Sequence, residues 1–184
     1  MLFHRSPRLL LRPVFAEDWQ AIYAGINDFA VVSMLASAPW PYREEDAREF
    51  AALPCTSRSL RFAIALPGLR GAPVIGGIGF EMGEEGAEVG YWLARPYWGR
   101  GYATEAGAAV VEMTQALGIE RLVADYAIDN PASGRVLAKL GFRETGEVRE
   151  QFSRGRGGLM PVRRMVLDMR TVVCDRAEPH LQAA

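Results

Sequence analysis

From Tyr97 to Thr104 the chain reads Tyr-Trp-Gly-Arg-Gly-Tyr-Ala-Thr, and these residue types at this spacing suit the binding of a diphosphate. An apolar run ends just before the segment and a helical pattern opens at Tyr102. The first N–H groups of a helix have no partner inside it, and the macrodipole places about half a positive charge at that end. Gly99 and Gly101 remove the Cβ atoms that would hold a pyrophosphate away from the main chain. Arg100 and the Thr104 hydroxyl add side-chain donors, and Trp98, Tyr102 and Ala103 complete the turn. Three readings share these residues. One is a coenzyme diphosphate site; another is a tight connection with no ligand. The third is a nicotinamide site, because Gly99-x-Gly101 begins G-x-G-x-x-G and Asp125 ends the next strand near the ribose-binding position. Against the third stand Thr104 in place of the last glycine and a mid-chain location after several short strands.

Composition narrows the chemistry. The two histidines, His4 and His180, lie close to the chain ends, so a Ser-His-Asp hydrolase, a Cys-His protease or a histidine-ligated zinc site lacks its central residue. No metal is expected. With 21 basic and 22 acidic side chains, no field of one sign is available for general nucleic-acid binding. Arg5, Arg8 and Arg12 interrupt the amino-terminal apolar residues, and no later stretch is long enough to span a bilayer. Cys55 and Cys174 share no C-x-x-C spacing and read as reduced thiols, which points to the cytoplasm.

The elements that must position the turn follow from periodicity. Arg8 to Val14 reads as a strand. Glu17 to Ile26 reads as a helix, with Trp19, Ile22, Tyr23 and Ile26 on one face, and Glu44 to Leu53 as a charged amphipathic helix. Leu60 to Leu66, Val74 to Met82 and Ala87 to Leu93 form an antiparallel meander. Tyr102 to Leu117 is a long helix with Ala103, Ala106, Val110, Met113 and Leu117 along one side. Arg121 to Ile128 is a strand. Pro131 to Leu140 is a helix marked by Asn130 before it and Gly141 after it. Strands Phe142 to Arg149 and Arg163 to Met169 are joined by a loop containing Arg154, Arg156 and three glycines. The expectation is one α+β domain over residues 1–170 with a tail over 171–184.

Gly90-Tyr91-Trp92-Leu93, the turn from Tyr97 to Ala106, Asn130-Pro131-Ala132-Ser133 and Leu140-Gly141-Phe142 together resemble the GCN5-related N-acetyltransferases. Within them the chain is most similar to the ribosomal-protein N-terminal acetyltransferase branch, and the resemblance runs from Leu9 to about Leu167. It implies a mixed sheet splayed between Ala87 to Leu93 and Arg121 to Ile128, flanked by helices. It implies acetyl-CoA as co-substrate, its pantetheine arm against the backbone near Trp92 and Leu93 and its pyrophosphate on Gly99 to Thr104. It also implies an amine acceptor. Trp98 stands where the wider family has Gln or Arg, as is usual in this branch.

Acyl transfer to an amine needs a neutral nucleophile and a proton for the departing thiolate. Glu88, on the strand face opposite Val89, Tyr91 and Leu93, is the first candidate base; a solvated strand carboxylate is the plain alternative. Glu150 is the second, near where the branch can carry a glutamate, although that position falls on Phe152. The family's usual acid, a tyrosine on the later helix, is Leu137 here. The resemblance assigns its role to Ser133, which could otherwise serve as a cap. Asn130 could cap that helix and also hold the cofactor amide. Among Trp40, Tyr42, Tyr91, Trp92 and Tyr126, Trp40 is the choice for the acceptor pocket. The cluster Arg154, Arg156, Arg163 and Arg164 reads as a solvated loop before it reads as a site for an acidic partner. Should the chain self-associate, a homodimer is the expected assembly.

Overall fold

The computed structural model describes residues 2–169; the expected tail over 171–184, with Cys174 and His180, lies outside the described residues. Eight strands form one sheet in the order β1-β2-β3-β4-β5-β6-β8-β7. Strand β1 (His4–Arg5) pairs with β2 (Leu10–Pro13), which leads to helices α1 (Trp19–Ile26), α2 (Phe29–Val32) and α3 (Glu44–Ala52). The expected meander follows as β3 (Ser59–Ala65), β4 (Val74–Met82) and β5 (Ala87–Leu93). Then come α4 (Tyr102–Ala116), β6 (Arg121–Ala127), α5 (Pro131–Lys139), β7 (Arg143–Ser153) and β8 (Gly158–Asp168). Helix α4 crosses over between β5 and β6, the parallel pair; the remaining pairs run antiparallel. The α+β expectation holds.

Alternation along β5 assigns its faces. Ala87, Val89 and Leu93 join one apolar cluster with Ala106, Ala109, Val110 and Met113 of α4 and Leu137 of α5. Trp92 joins a second cluster with Ile22 and Ile26 of α1 and Ala47 and Ala51 of α3. The helices thus cover opposite faces of the sheet, as a strand with residues buried on both sides requires. Small residues bring the layers close. A Cβ at Gly107 of α4 would run into the end of the Leu140 side chain, which would have to shift to admit a larger residue.

Two expectations are corrected, and one element was not foreseen. Leu117 is 53% exposed rather than part of the buried stripe, because α4 ends at Ala116 and the chain turns at Gly118. Residues 154–157 form the tight turn of a hairpin whose strands reach Ser153 and Gly158, so the strands are longer and the loop shorter than composition suggests. The short helix α2 was not anticipated, since one turn is too brief to show periodicity; Asp28 starts it, its carboxylate accepting from the Ala30 N–H.

Candidate active site

Strands β5 and β6 pair only at Ala87↔Leu122 and Glu88↔Val123. Beyond Glu88 they part, while β5 stays paired with β4 as far as Gly76↔Leu93. The Ala94 N–H donates to the Ile75 carbonyl at 2.9 Å, so by alternation the main-chain groups of Trp92 face β4, and those of Tyr91 and Leu93 face the gap. The Leu93 carbonyl accepts from Trp98 Nε1 at 2.7 Å, which ties the turn to the strand end. The Trp92 indole fills space left by Gly25 of α1 and Gly77 of β4, where an added Cβ would come within 2.7 Å of its ring atoms. Its buried N–H has no partner among the described residues.

The turn from Trp98 to Gly101 carries the chain into α4. Gly99 (φ 70°) and Gly101 (φ 79°) lie in the left-handed region, which explains the residue type at both positions. A Cβ at Gly99 would meet nothing within 4 Å, so the main chain there stands open. No side chain caps α4, and the Glu105 N–H, reaching the Gly101 carbonyl at 3.1 Å, is the first to find a helical acceptor. The N–H groups of Tyr102, Ala103 and Thr104 precede it, and Arg100 is exposed beside them. Arg8, which sequence reasoning missed as a site neighbour, braces this turn. Its guanidinium donates to the Arg100 carbonyl at 3.0 Å and to Glu105 at 2.6 Å, and lies over the Tyr102 ring at 4.6 Å. Burial pushes the Glu105 carboxyl up, but hydrogen bonds from Ser6 and Arg8 outweigh it and hold the group below its ordinary value.

Helix α5 presents its first turn to the same cavity, which measures about 1150 Å³. Asn130 caps it, its side-chain oxygen accepting from the Ser133 N–H at 3.3 Å. The Ser133 hydroxyl lies 2.7 Å from the Tyr91 hydroxyl of β5, across the splay. Burial pushes the Tyr91 phenol up, with the Ser133 contact opposing it, and the net direction is upward. Leu137, at the family's tyrosine position, is fully buried in the core. Glu88 lines the cavity opposite Glu81 on β4, and neither carboxylate has a hydrogen-bonding or ionic partner among the described residues.

Two candidates stand apart from these. Glu150 is exposed on the edge strand β7, and its neighbour Gln151 lines the cavity instead. Trp40 is 43% exposed, packs edge-on against Phe29 at 5.4 Å and is not a lining residue, whereas Tyr42 is one. Burial first, and then the charge of Asp46, push the Tyr42 phenol up to about 12.

The arginines expected in a solvated loop are engaged. The Arg154 main chain donates to the Ala36 carbonyl and its side chain to the Ser37 carbonyl. Arg156 donates to the Ser33 carbonyl at 2.6 Å and grips Asp129 with two bonds of 2.8 and 2.9 Å. Arg163 pairs with Glu144, and buried Arg164 holds Asp125 at 2.9 and 2.8 Å. The hairpin tip therefore straps the loop after α2, part of the cavity wall, to the residue before the α5 cap. Asp125 is committed to this structural pair and is not free for a ribose.

Among the described residues no group of three or more His, Cys, Asp or Glu could hold a metal ion, and no helix is long and apolar enough to cross a membrane. The model of the acetyltransferase (GNAT) domain matches residues 8–143. The uncharacterized N-acetyltransferase YoaA of Bacillus subtilis is 32% identical over 152 residues, which span 79% of this chain and 85% of that protein. The GNAT-family acetyltransferase structure from Bacillus anthracis superimposes with a TM-score of 0.79 at 25% identity, covering 92% of this chain and 99% of that one. The spermidine N-acetyltransferase of Vibrio cholerae, in complex with CoA and spermine, shares the fold at a TM-score of 0.75 and 20% identity, covering 91% and 99%.

Proposed function

The chain belongs to the GNAT acetyltransferase family and is an N-acetyltransferase, and on that premise we propose that it moves acetyl from acetyl-CoA to a primary amine, a protein N-terminus or a small-molecule amine, by direct transfer with both substrates bound. The observation that carries this reading is the uncapped start of α4, with two left-handed glycines, beside a strand edge that β6 leaves beyond Glu88, where the main-chain groups of Tyr91 and the Leu93 N–H face the gap. One feature answers a diphosphate and the other the amides of an extended arm, so the residues present fit coenzyme A. A nicotinamide dinucleotide fits less well. Among the described strands only β5 and β6 run parallel, and Asp125 is engaged by Arg164.

Gly99 to Thr104 would hold the pyrophosphate, and the main chain of Tyr91 and Leu93 the pantetheine amides, whereas the main chain expected at Trp92 is turned to β4. Asn130 would add a side-chain amide at the cavity's far wall. The thioester supplies an electrophilic carbonyl. Glu88, exposed in the cavity and without a partner among the described residues, takes the proton of the incoming ammonium directly or through water. Ser133 supplies the proton for the departing sulfur. Cys55 is exposed and absent from the cavity wall, which agrees with transfer that needs no acyl-enzyme. A free exposed thiol also suits the cytoplasm. Self-association, where it occurs, is expected as a two-fold dimer.

The defining experiment combines free-thiol release with mass-spectrometric detection of the acetylated product over a panel of a seryl peptide, an alanyl peptide, free amino acids, spermine and an aminoglycoside. At least one amine should give both signals. Binding of acetyl-CoA with no thiol release on any of them would make the protein an acetyl-CoA sensor. Glu88→Gln should lower kcat/KM about 100-fold and abolish its acid-side pH dependence. An unchanged rate and profile would move the base elsewhere, with Glu150 the next to substitute.

A further inference from the structure

The proton donor just assigned has an unexplained neighbour. Ser133 is a poor acid on its own, because a serine hydroxyl is far less acidic than a thiol and cannot end the reaction as an alkoxide. No main-chain carbonyl takes its hydroxyl proton among the described hydrogen bonds, so Tyr91, at 2.7 Å, is its partner. The phenol sits between β5 and α5, partly buried and lining the cavity, and Ser133 is likewise its hydrogen-bonding partner among the described residues. The phenol is the more acidic of the two hydroxyls and the serine oxygen the more basic, so a pair with the phenolic hydrogen left over would leave the better donor unused. The arrangement that avoids this has Tyr91 donating to Ser133 Oγ, which leaves the Ser133 hydrogen free to point into the cavity.

We infer that Tyr91 and Ser133 act as one proton-donating unit, the phenol of β5 standing in for the tyrosine that α5 lacks at Leu137. As the carbon–sulfur bond breaks, its electron pair stays on sulfur and Ser133 gives sulfur its proton. Ser133 takes the phenolic proton in the same motion, so no alkoxide forms. The phenolate regains a proton from solvent, which meanwhile receives the one the acetylated nitrogen sheds in becoming an amide. Burial keeps the phenol protonated at neutral pH, so the unit is loaded before each turnover. Tyr91 reaches sulfur only through Ser133 and is a positioning and relay residue.

This inference rests on Ser133 as the donor, and the test separates the two. The first readout uses the ligand-free protein. With tyrosine labelled at Cζ, the resonance lost in Tyr91→Phe identifies Tyr91. Its titration should move to higher pH in Ser133→Ala, because the serine can no longer stabilise the phenolate; an unmoved titration overturns the coupling. The second readout is a double-mutant cycle with acetyl-CoA and the fastest amine of the panel. Ser133→Ala should lower kcat about 100-fold and Tyr91→Phe about 10-fold, each with KM for acetyl-CoA nearly constant. Adding Tyr91→Phe to Ser133→Ala should cost nothing further, and Ser133→Thr should restore the effect of Tyr91→Phe. Equal losses from Tyr91→Phe in both backgrounds overturn the relay. A Ser133→Ala variant with unchanged kcat overturns the donor assignment itself.

Discussion

The first turn of α4 begins at Gly101 with no side chain closing it, whereas the first turn of α5 is closed by Asn130 and led by Pro131. Both open onto one cavity. In α4 the early N–H groups stay free and the approach is stripped of side chains by Gly99 and Gly101. In α5 the Ser133 N–H is spent on the cap, and what faces the cavity is a hydroxyl held by a phenol. Two helix starts therefore differ in what they leave over, and on the proposed reading one offers main-chain donors to an anion while the other uses its donors internally and positions a proton. A helix N-terminus binds an anion only where nothing in its own sequence satisfies it first.

The largest test of this contrast is a negative charge in the α4 turn. Gly99→Asp should weaken acetyl-CoA binding about 100-fold by calorimetry, because a carboxylate would face the pyrophosphate, while an Asx side chain tolerates the left-handed backbone. Gly99→Asn, similar in shape and neutral, should lose far less. Equal losses would mean that shape rather than charge governs the turn. Next comes the α5 cap. Asn130→Ala should destabilise the fold by about 1 kcal/mol, a fall in Tm of about 2–4 °C, with a much smaller change in acetyl-CoA affinity than Gly99→Asp. A loss of affinity with no loss of Tm would reverse the roles, making Asn130 a ligand-binding group and no cap.

The smallest effect concerns Glu105. Its carboxyl is held below its ordinary value of 4.5 in the folded protein, so the stability it contributes is complete above that value and is lost as pH falls through the lowered one. Glu105→Gln should therefore flatten the acid side of the stability–pH curve below about pH 4.5 and lower Tm slightly at neutral pH. A Gln variant that loses stability equally at all pH values would show that Arg8 and Ser6 need the side chain's shape and not its charge.

Much of this was legible before any coordinates. Strands β4 and β5 begin and end where alternation and the flanking turns put them, and α5 starts where Asn130 and Pro131 announce it. These signals are local, because capping, alternation and a left-handed glycine each depend on a few adjacent residues. The strand order β6-β8-β7 carried no such signal, since which strand inserts beside β6 depends on pairing between distant segments. The arginine-rich segment misled for the same reason: its composition suits solvent, yet Gly155 lets it close against Val32, and Arg154 and Arg156 find carbonyls of the loop after α2. Glu150 and Gln151 show what alternation leaves to the fold, because neighbouring residues of a strand take opposite faces and only pairing decides that Gln151 lines the cavity.

The sequence by itself determined the glycine turn before α4, the cap of α5 and the faces of β5, because each is settled by sterics and hydrogen bonding within one or two turns of chain. Only the tertiary structure decided that Tyr91 meets Ser133, 42 residues later, and that Arg156 ties Ser33 to Asp129. Those contacts exist because α4 carries the chain across to a parallel neighbour that then parts from β5, and no local preference encodes how far apart two strands come to lie.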